Sequence, residues 1–243
     1  MFAFTDTRDQ VDIAFTDRHG GVSGGPYASL NFGARSPEQA ADVAENLRRA
    51  VLAFTGGAEP PVARLHQVHG ADVHVLESPP QPDDEPPVAD GLVTALPGVV
   101  LMVRTADCVP LVLADSGRGL VGVVHAGRPG LAAGVVPATL AAMRALGAVE
   151  LVGWVGPHVC GRCYEVPAEM RDEVGAVVPE SVAETSWGTP ALDIGAGVRA
   201  QLTSDGVQVV DSGGCTLEDE RLYSYRRQGA ESGRLAGLVW VRP

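Results

Sequence analysis

Three side chains carry donor chemistry in a shared kind of setting: His69, Cys108 and His125. His69 lies in Gln67-Val68-His69-Gly70, and Cys108 in Thr105-Ala106-Asp107-Cys108-Val109-Pro110. His125 closes the aliphatic run Leu120 to Val124 and precedes Ala126-Gly127-Arg128-Pro129-Gly130. Two imidazoles and a thiolate suit zinc, and three protein ligands leave the open position that separates a catalytic zinc from a structural one. A zinc ion there would bring bound water to a pKa of about 7 and hold the sulfur as thiolate. Copper(II) accepts the same donors, so donor type alone does not choose the metal. A metal-free use of the same atoms also stands, with Cys108 as nucleophile and His125 as its base.

Positioning these groups requires strands that end in tight turns. Val11 to Thr16, Val62 to Gln67 and Val73 to Leu76 read as strands, the last two flanking the turn at His69-Gly70. Val99 to Arg104, Leu111 to Ala114 and Leu120 to Val124 are near-continuous aliphatic runs, as expected of strands covered on both faces. Leu151 to Val155, Ala191 to Ile194, Val207 to Val210 and Leu235 to Val241 add four more. Helices are expected from the Ser36-Pro37-Glu38-Gln39 capping box to Gly56, from Leu131 to Leu146 with a break at Pro137, from Pro167 to Val177, and from Gly195 to Leu202. Glu77 to Asp90, rich in proline and acid, reads as a mobile surface loop. Strands and helices interleave without a repeat or a composition break, which favours one α/β or α+β domain over residues 1–243. All three donors then fall at the strand ends, the usual edge for a site on such a sheet.

Composition narrows the chemistry. The 243 residues carry 18 basic and 30 acidic side chains, a net charge of −12, and every basic residue is arginine. Without lysine there is no Schiff base and no Walker A cation. The acidic balance argues against nucleic acid as a partner, since phosphate neutralisation needs a basic face. The apolar stretch Gly130 to Val149 is interrupted by Pro137 and Arg144 and reads as a core helix, so no membrane partner is expected. Thr5, Asp6 and Arg8 near the start do not fit a signal peptide, and four irregularly spaced cysteines fit reduced thiols; a cytoplasmic location is expected.

Three motifs point elsewhere. Gly21-Val22-Ser23-Gly24-Gly25 fits a nucleophile elbow, yet Pro26 and a non-periodic stretch follow where that elbow needs a helix. Ser23 is therefore expected only as a loop contact to substrate or phosphate. Gly195-x-Gly197-x-x-Ala200 imitates a dinucleotide fingerprint, but too little chain follows to complete such a domain. Cys160-Gly161-Arg162-Cys163 is half of a zinc ribbon or a redox pair, with no second C-x-x-C.

The blocks HQVHGADV, DGLVT, RTADCVPLVLAD, GVVHAG, GPHVCGRCYEV and CTLEDERLYSYRRQGAESGRLAGLVWV closely resemble the YfiH family. Its members carry the names polyphenol oxidase (laccase), peptidoglycan editing factor and purine nucleoside phosphorylase. The resemblance runs from about Arg18 to the C-terminus. It implies a mixed-sheet α/β sandwich similar to a cytotoxic-necrotising-factor cysteine hydrolase, with zinc at His69, Cys108 and His125.

It also implies phosphorolysis of adenosine, inosine and methylthioadenosine, and adenosine deamination; chemically, zinc-bound hydroxide would add at purine C6, with the nearby acid Asp107 as candidate proton carrier. The implied partners are therefore small molecules, purine nucleosides and phosphate. Gly127 and Arg128, at the start of a helix, and Arg104, at the end of a strand, are the expected phosphate contacts. A cysteine hydrolase acting on a peptidoglycan precursor and a copper-dependent polyphenol oxidase are the alternatives. The chain departs from the family's H-A-G-W-R-G, since Arg128-Pro129 replaces Trp-Arg and the proline removes an N–H donor.

Overall fold

Alternation of side chains decides the first element. In Phe2-Ala3-Phe4-Thr5-Asp6-Thr7-Arg8 every second residue is half-buried, giving an edge strand β1 (Phe2–Arg8) that the sequence reading passed over. The computed structural model describes residues 1–33 and 37–243, so Ser36 of the expected capping box lies outside the described residues. In chain order there follow β2 (Val11–Thr16), α1 (Pro37–Phe54), β3 (Val62–Ala63), β4 (Val73–Leu76), β5 (Gly91–Thr94), β6 (Val100–Thr105), β7 (Val109–Asp115) and β8 (Leu120–Ala126). Then come α2 (Arg128–Ala133), α3 (Val135–Ala145), β9 (Val152–Val155), α4 (Ala168–Gly175), β10 (Val182–Glu184), β11 (Pro190–Leu192) and α5 (Ile194–Ser204). β12 (Gln208–Asp211), α6 (Tyr225–Gln228) and β13 (Leu235–Val241) complete the fold.

The strands form two large mixed sheets. One runs β1-β2-β13-β6-β3, the other β12-β9-β7-β8-β5-β4, and β10-β11 make a small hairpin. Period-two alternation sends opposite residues of each central strand to different layers. In β7, Val112 and Ala114 meet Ile13, Phe15 and Leu101 between the sheets, whereas Leu111 and Leu113 face Leu131, Leu140 and Val198 of the helices. Leu47, Ala50 and Phe54 of α1 cover the outer face of the five-stranded sheet. The result is a four-layer α/β sandwich, which explains why β7, β8 and β13 are buried along their whole length.

Three expectations need correction. The helix from Leu131 to Leu146 is broken at Gly134, whose φ of +85° ends α2 in a left-handed cap; Pro137 sits harmlessly in the first turn of α3. The strand from Val62 to Gln67 shrinks to β3, because the Gln67 side chain takes over the pairing. Its Nε2 donates to the Arg104 carbonyl at 2.7 Å, and its Oε1 accepts the Arg104 N–H at 3.0 Å. β5 was not anticipated at all, although it pairs with β4 and β8. The glycines of the false nucleotide fingerprint serve packing. A Cβ on Gly195 would stand 2.1 Å from His158 Nε2, and one on Gly197 would stand 2.7 Å from Leu131.

Candidate metal centre

Both sheets contribute to one end of the sandwich. The chain passes from the five-stranded to the six-stranded sheet twice, between β3 and β4 and between β6 and β7. His69 lies in the first crossing and Cys108 in the second, immediately before β7. His125 sits near the end of β8, opposite Pro110 of β7 in the antiparallel register. Two left-handed residues aim the crossings: His69 itself at φ +61° and Asp107 at φ +86°.

The three donors meet. Cys108 Sγ is 3.7 Å from His69 Nε2, and the two imidazoles stand edge to face with centroids 4.6 Å apart. One donor atom from each of His69, Cys108 and His125 lies within 4.8 Å of the others. Tetrahedral zinc with typical ligand distances places a sulfur and a nitrogen donor about 3.6 Å apart, so the spacing seen fits the ion. Gly127 makes the closure possible, since a Cβ there would fall 2.6 Å from His69 Cδ2 and 3.2 Å from Cys108 Sγ.

Asp90 organises the centre and was missed in the sequence, where it was assigned to the end of a surface loop. It is fully buried. Its carboxylate accepts the N–H groups of Val68, His69 and Gly70 at 3.1, 3.0 and 2.7 Å, and its Oδ1 is 2.7 Å from His125 Nδ1. Burial opposes charge on Asp90, but the His125 bond and the Gly70 and Val68 amides outweigh it and hold the carboxyl below its usual range. An ionised acceptor makes Nδ1 of His125 the donor and leaves Nε2 free to ligate, a carboxylate–histidine pairing common at zinc sites. The available signal was an acid directly before Gly91-Leu92-Val93-Thr94, an apolar run.

Burial works against the ionised forms of Cys108 and His125, and their mutual contacts reverse it. Hydrogen bonds from His125 and His69 bring the Cys108 thiol down to about 6 despite its desolvation. Bonds to Asp90 and Cys108 raise His125 to about 9 against the same penalty. These contacts favour thiolate and imidazolium in the metal-free pair, and metal binding replaces the shared proton with a cation.

The donors open into a cavity of about 670 Å³, within the range of small-molecule sites. Tyr27, Tyr164 and Tyr225 contribute aromatic faces, and Arg104, Arg128, Arg226 and Arg234 contribute charge. Arg226 stacks on Tyr164 at 4.6 Å. Arg104, Arg128 and Arg226 form no carboxylate ion pair among the described residues. Burial and the charges of Arg64 and Arg234 disfavour the Arg104 cation, an imbalance that an anion would relieve. Sequence reasoning missed Arg226, Arg234 and the tyrosines, which reach the cavity from distant segments.

Other expected contacts are placed differently. Asp107 lines the cavity, but Thr216 Oγ1 and the Arg226 N–H each donate to one of its oxygens at 2.6 Å, so it braces the C-terminal segment and is poorly placed to carry protons. Ser23 is buried against α1, where its Oγ accepts from Asn46 Nδ2 at 2.9 Å, and it does not line the cavity. Gly127 caps α2, which has only six residues and carries Pro129 in its first turn, so that helix offers phosphate little.

A family model described as multi-copper polyphenol oxidoreductase laccase matches residues 12–242, and solved YfiH-type structures superimpose on nearly the whole chain. The chain is a member of the YfiH family. YlmD from Geobacillus stearothermophilus aligns with a TM-score of 0.84 at 30% identity, covering 96% of this chain and 93% of its own. The YfiH protein of Bacillus licheniformis gives 0.85 at 25% identity over the same shares. Among curated relatives, a protein of Streptomyces coelicolor named purine nucleoside phosphorylase is 50% identical over 99% of this chain and 100% of its own length. In this YfiH-family chain no helix among the described residues is long and apolar enough to cross a membrane.

Proposed function

We propose that this chain is a zinc-dependent purine nucleoside enzyme, cleaving adenosine, inosine and methylthioadenosine with phosphate and deaminating adenosine, and that residues 1–243 work as one domain in the cytoplasm. The observation that carries the reading is a three-donor centre on the wall of a cavity that also holds Arg104, Arg128 and Arg226, which have no carboxylate ion pair among the described residues. The names of the relatives support the substrate class. His69, Cys108 and His125 would hold the ion; zinc, when bound, supplies an electrophile that polarises an oxygen ligand and lowers the pKa of water to about 7.

The protein's own groups have distinct tasks. Arg104 and Arg226 hold phosphate beside the sugar, their planar forks matching its oxygens. The tyrosine faces supply stacking surface for the purine. In phosphorolysis a phosphate oxygen bonds to C1′ of the ribose, the glycosidic C–N bond breaks, and the base leaves with the proton that the hydrogen phosphate gives up. In deamination a water oxygen bonds to C6 and the exocyclic amine departs as ammonia. Asp90 keeps His125 oriented, and Asp107 fixes the Arg226 backbone that faces the phosphate.

A second reading rests on the same geometry. Cys108, His125 and Asp90 form a nucleophile, base and orienting carboxylate, the set a metal-free cysteine hydrolase requires. Chelation separates the two. In the zinc enzyme complete zinc removal abolishes nucleoside turnover and zinc re-addition restores it; a cysteine hydrolase keeps full activity after chelation. A multicopper oxidase finds less support, because only two groups of donors come together among the described residues and just one contains histidine.

A further inference from the structure

The C-x-x-C half-motif acquires partners in three dimensions. Cys160, Cys163, Cys215 and Glu218 each present a donor atom within 4.8 Å of the other three. Two short turns of equal spacing supply them. Cys160 O accepts the N–H groups of Cys163 and Tyr164, and Cys215 O accepts those of Glu218 and Asp219. Each turn therefore presents two ligand-bearing side chains three residues apart.

We propose that Cys160, Cys163, Cys215 and Glu218 form a second, structural metal site for a zinc-type divalent cation. Three sulfurs and a carboxylate complete a tetrahedron, so no position remains open for substrate. Typical zinc–sulfur bonds require sulfurs about 3.8 Å apart, compatible with the spacing of this group. The Cys160 N–H points at Cys215 Sγ at 3.4 Å, the kind of outer contact that orients a metal-bound thiolate. Cys163 Sγ already faces Glu218 Oε1 at 3.4 Å, and binding replaces that thiol proton by the ion.

A redox dithiol is the competing use, and the surroundings disfavour it. Burial and Cys215 push the Cys160 thiol up against a lowering contact from Cys163, and burial, Cys160, Cys215 and Glu218 push Cys163 up, the opposite of an activated attacking thiolate.

The location gives the site a task. Tyr164 follows Cys163 directly, and Thr216, next to Cys215, donates to Asp107 beside Cys108. The two strands of chain also share the His158–Cys215 bridge. An ion here ties the loop carrying Tyr164 to the segment carrying Tyr225 and Arg226, the two sides of one cavity wall.

The test is metal content and cobalt(II) absorption of the full chain. Cys108→Ala removes the one sulfur of the first centre, so the sulfur-to-cobalt charge transfer that remains reports on the second. The expected result is one bound ion in Cys108→Ala, with tetrahedral cobalt bands and charge transfer from three sulfurs. Adding Cys163→Ser or Cys215→Ser then abolishes both. Glu218 is exposed, so Glu218→Gln tests the site without threatening the fold: the cobalt bands shift and zinc is retained less tightly. Cys108→Ala protein that binds no metal, or a disulfide between these cysteines in protein purified without oxidant, overturns the proposal.

Discussion

Asp90 holds His125 at two points: its Oδ1 lies 2.7 Å from the ring Nδ1, and its backbone carbonyl accepts the His125 N–H at 2.8 Å. The same carboxylate receives the amides around His69. One buried acid thus sets the orientation of both histidines.

Asp90→Asn keeps the shape and removes the charge. Each carboxylate oxygen accepts two N–H groups, so the amide NH2 replaces one acceptor and faces donors, and zinc affinity should fall about 10- to 100-fold, as for other outer-shell partners of zinc-bound histidine. Asp90→Ala strands a buried imidazolium and three amides, and should cost about 3–5 kcal/mol in denaturant unfolding of the metal-free protein. Competition against a chromogenic chelator reads the first effect. An unchanged zinc affinity in Asp90→Asn would show that the carboxylate does not tune the centre.

Cys108 should react as a thiolate once zinc is removed. Its thiol is brought down to about 6, so alkylation of the metal-free protein should rise through that pH and level off above it. An ordinary cysteine would respond only near about 8.5. Peptide mapping after iodoacetamide treatment separates Cys108 from the other cysteines, and added zinc should protect it. A midpoint above 8 would mean that the histidines do not stabilise the sulfur charge.

Gly127→Ala should disable the centre while sparing the sandwich. The new methyl collides with His69 and crowds Cys108, and such overpacking costs about 1–3 kcal/mol. Zinc content and nucleoside turnover should fall together, with the far-ultraviolet circular dichroism unchanged. A fully metallated Gly127→Ala enzyme would contradict the close packing of the three donors.

Arg104→Met should raise the KM for phosphate by about 10- to 100-fold, the loss of one hydrogen bond to a charged partner, with a much smaller effect on the KM for nucleoside. Initial rates at varied phosphate and inosine distinguish the two. Equal effects on both would place Arg104 outside the phosphate site.

What the sequence disclosed follows how local each signal is. His69, Cys108 and His125 each abut a glycine or proline turn within a few residues, and the apolar runs of β6, β7 and β8 announce buried strands. Those runs and the helices around them indicated one α/β or α+β domain, whereas the assignment of strands to two facing sheets depends on long-range pairings such as β2 with β13. Asp90 gave little notice, because the four partners of its carboxylate come from two other segments and only the fold brings them together. Arg226 and Tyr164 meet across a long stretch of chain for the same reason. Cys215 and Glu218 are invisible as ligands until Cys160 and Cys163 stand beside them. β1 was legible in its alternation, and its charged residues concealed it.

Phosphate-dependent release of base from inosine tests zinc-dependent phosphorolysis most directly, measured as hypoxanthine and ribose 1-phosphate formed by zinc-loaded wild type and by His125→Ala. The prediction is stoichiometric formation of both products by wild type, strict dependence on phosphate, and a loss of at least about 100-fold in His125→Ala, the scale of removing a group that polarises the reacting oxygen. Wild-type protein with full zinc that leaves inosine intact, or a His125→Ala variant as active as wild type, would contradict it.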